Sequence, residues 1–229
     1  MIKSSEIKKI VNDYSDVKIG VLGSHSALEV MDGAKDENFE TTVFCQKGRE
    51  GPYQRFNRIA DQIVVLDKFK DMASAKNQKM LRDSNTIVVP HRSLTVYLGY
   101  KTIEDKFKVP IFGNRKLFQA EERTAKKGQY YLLEKARIKY PKLFKDPKRI
   151  NKPSIVKVQE KKRPLERAFF TVSSYKDYKE KSEEKIKQGV IARKDLEKAS
   201  IEELAIGTYM NFNFLTFFGF LLIPCLWIY

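Results

Sequence analysis

The sequence predicts an α/β fold built on a parallel sheet with helices on both faces. Three observations carry this. Short apolar, β-branched runs recur at 17–22, 41–45, 62–66, 86–89 and 109–112. Stretches with apolar residues at helical spacing separate them, the pattern of β-α-β units rather than of hairpins. The runs at 17–22, 41–45, 86–89 and 109–112 also end in polar loops that contain glycine or proline, as strands do where they leave a sheet.

Taken in order, residues 4–14 carry Ile7, Ile10 and Val11 on one face, with Ser4 or Ser5 as the expected N-cap. Strand one, 17–22, breaks at Gly23-Ser24-His25-Ser26, and Ala27, Leu28, Val30, Met31 and Ala34 begin a helix. Strand two, 41–45, opens into a loop carrying Lys47, Gly48, Arg49, Gly51 and Pro52. Residues 53–59 read ambiguously. Strand three, 62–66, leads to a helix over 68–82, and strand four, 86–89, ends at Pro90-His91-Arg92-Ser93. Leu94, Val96, Tyr97 and Leu98 mark a short helix, and 109–112 a fifth strand.

Ligands of open parallel sheets sit beyond the C-terminal strand ends. The chain has only two histidines, and His25 and His91 both fall there, with Lys47 and Arg49 after strand two. Backbone N–H groups at the start of the helix after Ser26 would favour an anion. An ordinary βα turn with a polar first turn is the alternative for this loop, and two structural histidines the alternative for the pair.

From Arg115 the texture changes. Residues 115–138 look helical and highly charged. Residues 141–170 hold ten Lys/Arg against three acids. Within them 154–158 and 168–172 read as a hairpin. Ser173 or Ser174 caps a helix to about residue 188, a short helix spans 193–198, and 201–206 is strand-like. The formal net charge of +15 raises a polyanion, nucleic acid or nucleotide, as partner. The 29 acids interspersed among the 44 basic residues and the hairpin pattern argue against nucleic acid. Two cysteines, Cys45 and Cys225, allow no disulfide framework, which makes a reducing cytoplasm the default.

Six segments, LGSHSAL (22–28), KGREGPYQRF (47–56), VVPHRS (88–93), VPIFGNR (109–115), IVKVQEKKRPLERAFF (155–170) and IEELAIG (201–207), together resemble one family. It is that of the ATP-grasp ligase 5-formaminoimidazole-4-carboxamide ribonucleotide synthetase. The resemblance spans roughly residues 5–213. It implies a Rossmann-like ribonucleotide-binding domain over 1–113 and, over 114–213, the first lobe and hinge strand of an ATP-grasp domain. It also implies ATP, formate and the aminoimidazole carboxamide ribonucleotide as small-molecule substrates, with Mg2+ as cofactor, a cytoplasmic setting, and no nucleic-acid partner. The family's ribonucleotide-binding histidine and serine fall on His25 and Ser93, and Arg49 and Arg55 would support the phosphate. Ser93 follows Arg92 where the family more usually has glycine. Lys157 is placed like the lysine that reaches the nucleotide phosphates. Residues 129–188 lack glycine, so Lys161, Lys162, Arg163 and Arg167 would cover the phosphates by side-chain charge. Glu202, Glu203, Leu204 and Ala205 match the adenine-binding hinge, with a carboxylate for the ribose hydroxyls. No residue is assigned as catalytic, and none as a metal ligand.

The resemblance stops after Phe214. Family members continue into a second lobe that supplies the magnesium carboxylates, whereas residues 214–229 are uncharged and apolar. The expectation is a chain missing that lobe, either the front part of the ligase or an inactive remnant that at most binds nucleotide. As a helix this tail would span ~24 Å, short of the ~30 Å of a hydrocarbon core, which makes a membrane anchor the lesser reading. Its exposed apolar surface would favour association, and homo-oligomerisation is left open.

Overall fold

The computed structural model describes residues 1–120, 125–158 and 168–208, and the backbone of 210–217 and 220–228. The chain divides into two compact units, Met1–Gln129 and Tyr130–Tyr229.

In the first unit Ser4–Asn12 (α1) precedes Lys18–Leu22 (β1), Ala27–Asp36 (α2), Glu40–Gln46 (β2) and Gly51–Arg55 (α3). Gln62–Leu66 (β3), Ala75–Asp83 (α4), Thr86–Val88 (β4), Arg92–Leu98 (α5) and Tyr100–Asp105 (α6) follow. The strands form one parallel sheet in the order β3-β2-β1-β4, the expected class. Neighbouring residues on one strand are buried on opposite faces. Leu22 and Phe44 pack with Phe69, Met72, Leu81 and Leu94. Val21 and Val43 pack with Met31, Cys45 and Tyr53. A parallel sheet covered on both sides reads as continuous apolar runs for this reason.

Several local expectations are corrected. Helix α1 is preceded by Lys3 and has no side-chain cap. Its start follows the docking of Ile2, whose N–H donates to Glu104 O at 2.8 Å, so Ser4 and Ser5 lie inside the helix. The single helix expected over 68–82 is a 3-10 turn, Phe69–Ala73, followed by α4, because Ser74 turns extended and its hydroxyl accepts from Asn77 N. The fifth strand reduces to one parallel bridge, Ile111 to Val88. Pro110 brings no N–H to a ladder, and β4 itself is three residues long.

The second unit holds Gln129–Lys135 (α7, opening at the boundary), Ser154–Lys157 (β5), Phe169–Val172 (β6), Tyr175–Lys187 (α8), Arg193–Leu196 (α9) and Ser200–Glu203 (β7). The helix expected over 115–138 is therefore only a 3-10 turn at Arg115–Leu117 and α7 among the described residues. Strands β5, β6 and β7 make an antiparallel sheet, β6-β5-β7. Val156, Phe170, Val172 and Ile201 meet Tyr178 and Ile186 of α8 on one face. Ser174 caps α8, its hydroxyl accepting from Asp177 N. Strand β7 ends at Glu203, so Leu204 and Ala205 lie beyond it rather than inside the strand expected to Ile206.

The apolar tail is a hairpin rather than a helix: Met210–Phe217 (β8) pairs antiparallel with Phe220–Ile228 (β9). Its phenylalanines, with Thr216, Ile223, Trp227 and Ile228, favour strands. Pro224 is tolerated because each strand of a two-stranded sheet is an edge. No helix among the described residues is long and apolar enough to cross a membrane.

Candidate functional site

Two clusters of polar side chains stand out, one in each unit. The first forms where β1 and β4 end. Gly23 N–H donates to Phe44 O at 2.7 Å, drawing the loop after β1 against β2. A Cβ on Gly23 would lie 2.9 Å from Cys45 Cβ and 3.0 Å from Tyr53 Cε2, so only glycine permits this approach. The chain then turns sharply. Ser24 N–H donates back to Leu22 O, and His25 adopts the left-handed conformation at φ +48°, one that a non-glycine residue holds only when its surroundings impose it. His25 is exposed, with Nδ1 hydrogen-bonded to the Ser26 hydroxyl.

His91 meets it from β4. Its Nε2 lies 2.8 Å from Leu22 O, the Ser93 N–H donates to its Nδ1 at 3.2 Å, and its ring stacks on His25 with centroids 5.9 Å apart and 19° between planes. Burial pushes the His91 imidazole pKa down, and proximity to His25 adds to that, with the bond to Leu22 O partly opposing. Ser93 is buried in the first turn of α5. Arg49, after β2, is exposed, its guanidinium 5.6 Å above the Phe69 ring. Arg55 is exposed in the last turn of α3. The structure thus brings His25, His91 and Ser93 together, while Arg49 and Arg55 stand on the neighbouring β2–α3 segment.

The second cluster lies on the face of the antiparallel sheet opposite α8. The register sets Ile155 across from Glu202 and Lys157 across from Ser200, making Lys157 and Glu202 diagonal neighbours on one face. They form an ion pair in which Glu202 is 4% and Lys157 20% exposed. Ser200 Oγ donates to the other Glu202 oxygen at 3.1 Å. Burial alone would raise the Glu202 pKa, but hydrogen bonds from Lys157, Tyr130 and Ser200 outweigh it and hold the carboxyl below its ordinary value. Ser200 and Tyr130 escaped the sequence reading. The i, i+2 spacing of Ser200 and Glu202 on a strand could have found the first; nothing local signals the second.

Glu203 points the other way, bonded to Lys152 Nζ at 2.7 Å, while its N–H donates to Lys142 O at 2.8 Å. Leu204 N–H donates to Pro153 O at 2.9 Å, fixing the chain as it leaves β7; Ala205, two residues past the strand, is exposed. Lys161, Lys162 and Arg167 lie outside the described residues.

Among the described residues, the two carboxylates of this cluster do not fit magnesium. Glu202 is committed to Lys157, Ser200 and Tyr130, and Glu203 to Lys152. No group of three His, Cys, Asp or Glu able to hold a metal occurs among the described residues.

The chain is 41% identical over 210 residues to "5-formaminoimidazole-4-carboxamide-1-(beta)-D-ribofuranosyl 5'-monophosphate synthetase" of Methanopyrus kandleri, covering 91% of this chain and 57% of the relative. To the protein of the same name in Methanothermobacter thermautotrophicus it is 40% identical, covering 90% of this chain and 56% of the relative. The chain therefore spans about half the length of the curated relatives it matches. A solved structure, described as an IMP biosynthesis protein PurP from Thermococcus kodakaraensis, matches its fold at a TM-score of 0.55 and 23% identity, covering 86% of this chain and 53% of that one. A family model described as "Domain of unknown function (DUF1297)" matches residues 177–218. Another matches residues 19–144, more than half of the sequence, and by it the chain belongs to the family described as "Protein of unknown function (DUF1246)".

Proposed function

We propose that this chain carries the ribonucleotide-binding domain and the first ATP-binding lobe of an ATP- and formate-dependent ligase that formylates 5-aminoimidazole-4-carboxamide ribonucleotide in purine (IMP) biosynthesis. The carrying observation is the strand-end cluster. One exposed histidine in a strained turn, a second histidine stacked on it and a buried serine converge where a parallel sheet presents its ligands. The shared name of its relatives supports the choice of substrate.

In this reading residues 1–113 bind the ribonucleotide. His25 and Ser93 reach its polar atoms, and Arg49 and Arg55 neutralise its phosphate. Residues 114–213 form the first ATP-grasp lobe, in which the Lys157 ammonium faces the ATP phosphates and the residues after β7, Leu204 and Ala205, read adenine through their backbone. Lys161, Lys162 and Arg167 add charge around the phosphates. Formate takes the γ-phosphoryl group to give formyl phosphate and ADP. The substrate amine attacks the formyl carbon, and phosphate leaves. A second reading, suggested by the lack of acidic residues over 204–229, keeps only the binding steps within residues 1–213.

His25→Ala is expected to abolish ribonucleotide binding in calorimetry while leaving ATP affinity and melting temperature nearly unchanged. An unaltered ribonucleotide affinity would remove His25 from the site. Duplex DNA or RNA is expected to bind weakly, without sequence preference, and to dissociate as salt is raised. Tight, sequence-selective binding at physiological salt, seen in a gel-shift titration, would overturn the ligase reading in favour of nucleic-acid recognition.

A further inference from the structure

We infer that His91 is a positioning residue, which places both ribonucleotide-facing side chains: His25 through the stacked ring, and Ser93 through the first turn of α5. This rests on the ribonucleotide reading above.

A neutral imidazole has one donor and one acceptor. Ser93 N–H can only donate, so Nδ1 of His91, 3.2 Å away, is the acceptor. Nε2 then carries the hydrogen and donates to Leu22 O at 2.8 Å. Both ring nitrogens are spent on the backbone, and what remains is the ring face, which meets His25 at 5.9 Å. His91 therefore does not stand in the site as a second ligand group. It ties the last carbonyl of β1 to the start of α5, across 69 residues of sequence.

The placement matters because Leu22 O is where the loop leaves the strand. The same carbonyl accepts from Ser24 N–H, one residue before His25 enters its left-handed turn. Protonating His91 would set a donor against the Ser93 N–H and a positive ring against His25. The titratable groups acting on it are His25 and, opposing them, Glu29. The geometry thus favours a neutral ring with a single tautomer.

Because the chain has two histidines, their ring nitrogens can be followed by long-range 15N–1H correlation in the intact 229-residue protein. His91 is expected to show the neutral Nε2–H pattern. His91→Phe keeps a ring face but loses both hydrogen bonds. It should weaken binding of 5-aminoimidazole-4-carboxamide ribonucleotide by about tenfold or more, leave ATP affinity unchanged, and shift the His25 resonances. His91→Asn, whose amide oxygen can still accept from Ser93 N–H, should recover part of that loss. An Nδ1–H tautomer, or a His91→Phe protein with native ribonucleotide affinity and unmoved His25 signals, would overturn the inference. If the native protein binds no ribonucleotide, the functional reading falls, and the tautomer with the His25 shifts still decides the positioning role.

Discussion

Exchanging Lys157 for methionine is expected to damage the protein twice, and the two effects can be separated. The first is on stability. Removing the ammonium leaves the Glu202 carboxylate, 4% exposed, without its cation. Stripping one partner from a buried pair costs about 3 kcal/mol, because the remaining charge is uncompensated. The second is on binding. A charge-assisted hydrogen bond to phosphate contributes about 1.5–3 kcal/mol, so ATP affinity should fall about 10- to 100-fold, with a smaller change for adenosine. The double change Lys157→Met/Glu202→Gln removes both charges and should restore most of the lost stability while ATP binding stays weak. Denaturant unfolding and calorimetry on both variants and the native protein check this. Equal losses for ATP and adenosine, or ATP affinity restored in the double variant, would mean that the lysine acts only through folding.

The same pair sets a pH dependence. Burial opposes the ionised Glu202, but the hydrogen bonds from Lys157, Tyr130 and Ser200 hold its folded pKa below the unfolded one. A depressed carboxyl pKa contributes stability fully present above the unfolded value, about 4.3 for Glu, and lost as pH falls through the folded value. The second unit should therefore lose stability in acid below about pH 4, and Glu202→Gln should flatten that part of the profile.

The second large effect is at Arg115. Its guanidinium donates to Ile103 O, Phe107 O and Val109 O, each at 2.6 Å. Burial lowers its pKa, yet arginine stays charged at any working pH. One side chain thus satisfies a carbonyl from the end of α6 and two from the segment that follows. Arg115→Ala strands all three. At roughly 1 kcal/mol for each acceptor left without a donor, the loss is about 3 kcal/mol, on the order of 10 °C in melting temperature. Arg115→Lys should recover only part of this, since a compact ammonium lacks the planar fork that spans the three oxygens. An Arg115→Ala protein that melts as the native one does would show the clasp to be dispensable.

How far the sequence could be read depends on the range of the interaction. The apolar runs of β1 to β3 and the cap at Ser174 were legible because each is decided within a few residues, by side-chain period or by one hydroxyl. Pro110 was present in the run 109–112, but its cost to pairing shows only beside the three residues of β4. Ser4 and Ser5 carry the right chemistry for a cap, yet with Ile2 docked on Glu104 the cap position falls on Lys3. At the candidate site, the strand-end position of His25 and His91 came from the sequence. The stack between them and the bond to Leu22 O join residues 66 and 69 apart, beyond any local pattern. Lys157 and Glu202 were each singled out with separate duties. Their pairing follows from the β5–β7 register, which only the folded sheet supplies.

Hydrogen exchange measured residue by residue with each ligand in turn tests the central claim, two separate binding sites on one chain, most directly. Saturating 5-aminoimidazole-4-carboxamide ribonucleotide is predicted to slow exchange at 23–26 and 91–93 and to leave 154–157 and 200–205 unchanged, whereas ATP should do the reverse. Protection of 154–157 and 200–205 by the ribonucleotide, or exchange at 23–26 and 91–93 unmoved by it, would contradict the assignment of the strand ends as its binding site.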